Sequence, residues 1–472
     1  MTRRSPPGSS NWCDETRPPF APRRGVRVGS LRSISRGTPS QYRRVAASPR
    51  AAFPGDGPAE KLLFHVNRKV TRRIQMQEVA VLGVGIHRFG KTGDDIVGTK
   101  SVTELCRAAV DMALKDAGVS WNQIQAVAAA SSRFSGGKGW GLNGNDIVED
   151  MGSTGIPVYN MSAGCAAGGN AFNVGYALVA GGIYDMVLVM GGEVMPKGMI
   201  QTSGVEEATD PEFLRQRCIG MPGPSFWATL AKRRMFDYGT TEEQYAKIVV
   251  KARKNSVGNP FARFQKEVSL AEVLASPYVS NPLRLFEICP VSNGAAAVVI
   301  CSQAKARQFS AKPITVATST VATVDFSDAL PRGLSGPVPA GPSFHTESKG
   351  VVLKAFEQSG IGPQDVSFTE LQDNCCYYEL AYPEEWGLCQ PGEAERLLDA
   401  GEYAPTGRMP INPSGGFVSF GEATTAMGVW QIAEMTLQLR GQAGSRQVPN
   451  AKIGLAQTNG LGGNATAAIL KR

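Results

Sequence analysis

The chain has 472 residues with 54 Gly, 30 Pro, 3 His, 42% apolar residues and a formal charge of +8. That length supports a substantial buried core, the apolar fraction excludes wholesale disorder, and no window approaches the ~18 uninterrupted apolar residues of a membrane span. The excess positive charge sits in residues 1–75, where 14 Arg and 2 Lys face four carboxylates; the remainder is slightly acidic, so nucleic-acid or membrane-surface binding has no support there. Nine cysteines without a CxxC pair read as free thiols of a reducing, cytoplasmic compartment rather than a disulfide scaffold. Three histidines argue against a His-rich metal site.

Residues 1–75 are rich in Arg, Ser, Pro and Gly without apolar periodicity. They read as a disordered extension, a transit peptide (which would make the protein mitochondrial) or a mis-assigned start. A first buried strand follows at 79–86. Ser101-Val-Thr-Glu104 forms a capping box for a helix to about residue 117. An apolar segment at 124–130, a small-residue stretch at 163–182 and a strand at 184–190 come next, then a helix at 242–256 and a strand at 295–301. A comparable series restarts with a strand near 313–324 and a helix at 346–359. It continues with a strand at 366–371, helices near 392–400 and 422–440, and strands at 452–457 and 465–470. Two α/β series predict a duplicated, layered α/β fold. The first half spans 76–324, a Pro/Gly/Ser-rich linker 325–343, and the second half 344–472.

Cys165 lies in Tyr159-Asn-Met-Ser-Ala-Gly-Cys165-Ala-Ala-Gly-Gly-Asn170, the pattern of a strand end, a tight turn and a helix start. A helix N-terminus favours thiolate, the nucleophilic form of cysteine. The flanking small residues allow close helix packing and room for a bulky substrate. A buried structural cysteine is the alternative.

This segment resembles the nucleophile turn of thiolases, in particular the sterol-carrier-protein and lipid-transfer-type branch. Three further segments agree in order. Asn293-Gly-Ala-Ala-Ala297, just after Cys289-Pro290, resembles the branch's "DGAAA" segment. Asn412-Pro-Ser-Gly-Gly416 resembles its "NPSGG" loop. Gln457-Thr-Asn-Gly-Leu-Gly-Gly463 resembles its glycine-rich closing loop. The likeness spans about 77–472. It implies a thiolase-like α/β-α-β-α fold, acyl transfer from a coenzyme A thioester with formation or cleavage of a C–C bond, and no tightly bound cofactor or metal. It also implies a homodimer and a small zinc-ribbon/OB-type partner protein.

The resemblance further implies two catalytic histidines, from "HDCF" and "GHP" segments, and a second thiol. Here Gln372, or Asp373 in a register shifted by one, stands at the first His position, and Glu422 at the second. Gln cannot act as a base at neutral pH. A carboxylate can, once burial lifts its pKa from about 4 toward 6–7. Cys165 is thus the expected nucleophile, Glu422 with Asp373 the proton carriers, and Gln372 an orienting amide, all four lining one pocket. The alternative role for Glu422 is to cap its helix. Cys375 and Cys376 are candidates for the second thiol, although neighbours on a strand face opposite ways. Gly416, Asn459 and Gly460 are expected to offer backbone N–H groups to an oxyanion. His65, His87 and His345 fall outside the catalytic positions. A "GEA" segment also resembles lipid-transfer-type aldolases, whose tyrosine positions read Gln372 and Thr424, with Tyr377, Tyr378 and Tyr382 near but out of register. A non-catalytic acyl-CoA binder is the third reading.

Overall fold

The computed structural model describes residues 76–131, 143–195, 223–309, 313–323, 347–460 and 463–472. The extension 1–75, the linker 325–343 and the histidines at 65 and 345 lie outside them. The strands are β1 (Val79–Gly90), β2 (Ala126–Ala130), β3 (Val158–Met161), β4 (Met186–Glu193), β5 (Tyr278–Ser280), β6 (Leu283–Arg284), β7 (Asn293–Ser302), β8 (Ile314–Thr323), β9 (Phe368–Glu370), β10 (Ile453–Gly460) and β11 (Asn464–Lys471). Nine of them hydrogen-bond in the order β3-β2-β4-β7-β1-β8-β11-β10-β9, and β5 and β6 form a separate ribbon.

The duplication expected from the two α/β series is written in the pairing. β2 runs parallel to β4, β4 antiparallel to β7, and β7 antiparallel to β1. In the second half β9 runs parallel to β10, β10 antiparallel to β11, and β11 antiparallel to β8. The two sets meet where β1 pairs antiparallel with β8. Strands such as β7, buried along its whole length, read as continuous apolar runs because helices cover both faces.

Two helices occupy the middle layer: Ala167–Ala180 and Val429–Arg440. Both pack in a core with residues from each half, including Val84, Phe172, Val298, Trp430 and Ala468. One outer cluster forms under the helix Val102–Ala117, whose Ser101–Glu104 capping box is present. The other forms under the helices Glu242–Ser256 and Glu347–Ser359. The small residues after Cys165 serve approach rather than ligand space. A Cβ on Gly168 would lie 1.7 Å from the Met427 carbonyl oxygen, so only glycine lets the two middle-layer segments touch.

The 422–440 helix begins later than its apolar pattern predicts. A short helix covers Gly416–Phe420, residues 421–428 are non-helical, and the long helix starts at Val429. Residues 375–376 are not on a strand either; they lead into the helix Tyr377–Glu385. Among the described residues no helix is long and apolar enough to cross a membrane.

Candidate active site

Both middle-layer helices deliver a reactive side chain from the turn that precedes them. Cys165 sits just before the Ala167–Ala180 helix, after Gly164 at φ 56°. Glu422 sits between the Gly416–Phe420 and Val429–Arg440 helices. Its amide donates to the Pro290 carbonyl at 2.7 Å, and its carbonyl accepts from Ser292 N–H at 2.8 Å. Glu422 therefore lies on an extended bridge and does not cap a helix.

The Cys165 Sγ donates to Glu422 Oε1 at 2.6 Å. Asn374 Nδ2 donates to the other oxygen, Oε2, at 2.9 Å. A second thiol, Cys289, reaches Oε2 at 3.7 Å and accepts from Asn374 Nδ2 at 3.6 Å. The Cys289 backbone N–H is anchored on the Asn374 carbonyl at 2.8 Å. Cys165 and Glu422 are 7% and 5% exposed: nearly dry, but not sealed.

A chain of amides holds Asn374. The Asn459 N–H donates to Gln372 Oε1, Gln372 Nε2 donates to Asn374 Oδ1, and Asn374 passes the polarity to Glu422. Each amide accepts at oxygen and donates at nitrogen. The chain terminates on a group that accepts from both sides, which fits an ionised Glu422 facing a neutral Cys165 thiol. Gln372 thereby positions Asn374; its oxygen is occupied by Asn459.

The electrostatics correct one expectation. Helix-start geometry predicts a stabilised thiolate, but burial pushes the Cys165 thiol well above its ordinary value. The Glu422 charge and hydrogen bond add to that, while its own backbone N–H opposes. Desolvation and the adjacent carboxylate outweigh the helix N-terminus. Burial also raises Glu422 above the usual carboxylate range, with hydrogen bonds from Cys165, Asn374 and Cys289 holding it back. The two groups share one short hydrogen bond, so a proton lies between a raised thiol and a raised carboxylate.

Asp373 is not brought into this cluster. Its carboxylate accepts from the Phe417 and Val418 N–H groups at 2.7 and 3.3 Å, at the start of the 416–420 helix. Burial raises it well above its ordinary value, as does Glu379, against the helix N–H groups and Lys251. Cys375 and Cys376 are fully buried in the outer core, and Cys376 Sγ faces the Glu287 carbonyl. His87 on β1 contacts the Arg88 carbonyl and Lys100.

At two positions of the glycine-rich loops the backbone donors expected to face an oxyanion are already taken. Gly416 N–H donates to Ser414 Oγ at 3.1 Å, and Asn459 N–H is held by Gln372. A Cβ on Gly460 would stand 2.0 Å from the Ala163 carbonyl. Glycine there lets the end of β10 lie against the turn that carries Cys165. Cys289 and Asn374 are the participants that sequence spacing missed. Cys289 enters the sequence reading only as the flank of Asn293–Ala297, and Asn374 stands where an "HDCF" segment carries its cysteine.

The family profile described as "Thiolase, N-terminal domain" matches residues 79–304, and "Thiolase C-terminal domain-like" matches 345–472. The chain is 33% identical over 400 residues to sterol carrier protein 2 of Bos taurus, covering 83% of this chain and 72% of that one. It is 33% identical over 409 residues to an acetyl-CoA acetyltransferase of Methanothermobacter thermautotrophicus, covering 84% of this chain and 100% of that one. A solved structure titled "Ltp2-ChsH2(DUF35) aldolase" shares the fold at a TM-score of 0.70 and 23% identity, covering 84% of this chain and 98% of that one. The chain belongs to the thiolase family, whose members are acyltransferases.

Proposed function

We propose that the protein is a thiolase-like acyltransferase in which Glu422, not an imidazole, is the base for an acyl-Cys165 intermediate. The 2.6 Å contact between Cys165 Sγ and Glu422 Oε1 carries this reading. In the cleaving direction Glu422 takes the Sγ proton as sulfur attacks the β-carbonyl of a 3-oxoacyl-CoA. The C–C bond breaks, the carbanion of the shorter CoA thioester takes a proton, and the acyl group stays on sulfur. Coenzyme A thiol then attacks acyl-Cys165, gives its proton to the departing sulfur, and leaves as acyl-CoA. Cys289, at the opposite oxygen of Glu422, is the thiol that delivers the proton to carbon, and protonated Glu422 then returns its proton to the Cys289 thiolate, which restores both groups for the next turnover. The condensing direction reverses these steps.

No tightly bound cofactor enters this scheme; coenzyme A is part of the substrate. A homodimer, a small zinc-ribbon/OB-type partner and a cytoplasmic location belong to the same reading. The aldolase neighbour's title names a DUF35 component, and seven described cysteines are free thiols. The aldolase alternative has one observation in its favour: the Tyr382 hydroxyl accepts from Asn459 Nδ2 at 2.6 Å and so joins the amide chain.

Quenched incubation with acetoacetyl-CoA followed by intact-mass measurement is expected to show an acetyl adduct on the native protein and none on Cys165→Ser. An adduct that persists in Cys165→Ser rejects the nucleophile. Cleavage of a 3-hydroxyacyl-CoA by Cys165→Ser selects the aldolase, and tight coenzyme A binding without any turnover selects the non-catalytic binder.

A further inference from the structure

A basic cluster next to this site has no part in the chemistry above. Arg253 lies in the last turn of the Glu242–Ser256 helix and is 7% exposed, yet its buried Nε has no hydrogen-bond partner. Among the described residues its guanidinium pairs with no carboxylate. It rests on the Phe264 ring, with Cζ 3.8 Å from the centroid. Arg263 Cζ lies 4.9 Å from the same ring, and its Nη1 donates to the Val291 carbonyl at 2.5 Å. Arg88 Nε approaches the Ala262 carbonyl at 3.4 Å on the same loop.

Burying a guanidinium without a carboxylate partner is costly, and ring stacking offsets only part of that cost. The same burial acts on the charge of both guanidiniums. Burial and the neighbouring Arg263 push Arg253 down to about 10, and burial likewise lowers Arg263, with Asp94 opposing. Asp94 is itself occupied by the Lys91, Ile96 and Val97 N–H groups. Three guanidiniums thus converge on one loop, and among the described residues none of them forms an ion pair with a carboxylate. A dianion offsets that imbalance, and guanidinium forks match the oxygens of a phosphate. A single carboxylate would leave excess charge.

The loop is fixed to the elements that carry Glu422. Phe264 N–H donates to the Ser419 carbonyl at 3.0 Å. Val291, the acceptor of Arg263, pairs with Glu422 in an isolated β-bridge. Arg263 is thus tied through the backbone to the segment that pairs with Glu422.

We propose that Arg253, Arg263 and Phe264 form a binding site for a phosphate monoester dianion. Two sources supply that chemistry: the 3′-phosphate of the coenzyme A thioester, or a separate phosphate ligand. The first source rests on the proposed function; the site itself does not.

The test uses the full chain and two readouts. Equilibrium binding by calorimetry compares acetyl-CoA, acetyl-dephospho-CoA and inorganic phosphate on the native protein, Arg263→Gln and Arg253→Gln. Arg263 is only partly buried, so its variant keeps the measurement interpretable if Arg253→Gln misfolds. If coenzyme A is the source, removal of the 3′-phosphate weakens binding at least ten-fold to the native protein and little to Arg263→Gln. If the ligand is separate, inorganic phosphate binds and raises the melting temperature of the native protein but not of Arg263→Gln, while the two thioesters bind equally. Equal affinity of the native protein and Arg263→Gln for all three probes overturns the site. Cys165 acetylation by S-acetylpantetheine, which carries no phosphate, reports separately on the proposed function. That adduct forming while the phosphate probes fail rejects this inference alone.

Discussion

Glu422 and Asp373 are both buried carboxylates, both raised by desolvation, and both belong to loops around the short 416–420 helix. They differ in what points at them. Asp373 accepts from two backbone N–H groups that cannot leave. Glu422 accepts from a thiol at 2.6 Å, a second thiol and an amide side chain. Burial and a raised pKa therefore do not separate a structural acid from a catalytic one. On the proposed function the identity of the donors does: fixed N–H groups make a cap, whereas an ionisable thiol makes a proton-transfer pair.

Substitution at each carboxylate breaks or sharpens this contrast. Glu422→Gln is expected to slow acylation of Cys165 by about 10²–10⁴-fold, the range for loss of a general base, with the melting temperature nearly unchanged. Asp373→Ala is expected to do the reverse. It leaves two buried N–H groups without an acceptor and destabilises by about 2–4 kcal/mol, while the acylation rate per folded molecule stays within a few-fold. Rapid-quench mass measurement and urea denaturation read the two effects. A large rate loss in Asp373→Ala with normal stability would erase the distinction.

Gly460→Ala tests the packing that brings the closing hairpin against the nucleophile turn. Its Cβ would meet the Ala163 carbonyl at 2.0 Å, and overpacking of this kind costs about 1–3 kcal/mol. Denaturation midpoint and acylation rate are expected to fall together. A variant as stable and as fast as the native chain would refute that close approach.

The next effects are read in pH. The base must be ionised, so acylation falls as pH drops through the raised Glu422 pKa. Asn374 stabilises the charged form, so Asn374→Ala raises that pKa and moves the acid limb of the rate profile to higher pH. Glu370, fully buried against Ser414, is raised to about 8 from its ordinary 4.5, chiefly by burial and then by Glu434. A carboxyl raised in the folded state contributes stability below its unfolded pKa and loses it as pH rises through the folded one. Native stability should therefore fall between about 4.5 and 8, and Glu370→Gln should flatten that slope. A steeper slope in the variant would contradict the sign.

The sequence made most of the fold legible because the strands are long apolar runs and Ser101–Glu104 marks its own helix start. The helix expected from residue 422 starts later, since Glu422 is drawn into extended pairing with residues 290–292. Tertiary pairing there overrides local apolar pattern. In the site, Cys165 and Glu422 were legible from motif order. Cys289 and Asn374 were not, because their meeting depends on a short antiparallel bridge between segments 85 residues apart. The thiol's protonation was also misread. The helix start is visible in sequence, whereas the opposing carboxylate acts through a distance that only the fold sets.

Replacement of Glu422 by histidine, set beside Glu422→Gln, decides whether a carboxylate is the base for Cys165. Single-turnover acylation by acetoacetyl-CoA is the quantity to measure. Glu422→His should acylate within about ten-fold of the native rate, with its pH profile moved toward the imidazole pKa near 6.5, while Glu422→Gln loses at least about 100-fold. Native-like acylation in Glu422→Gln would mean that Cys165 gives up its proton elsewhere and that the 2.6 Å contact has no part in the chemistry.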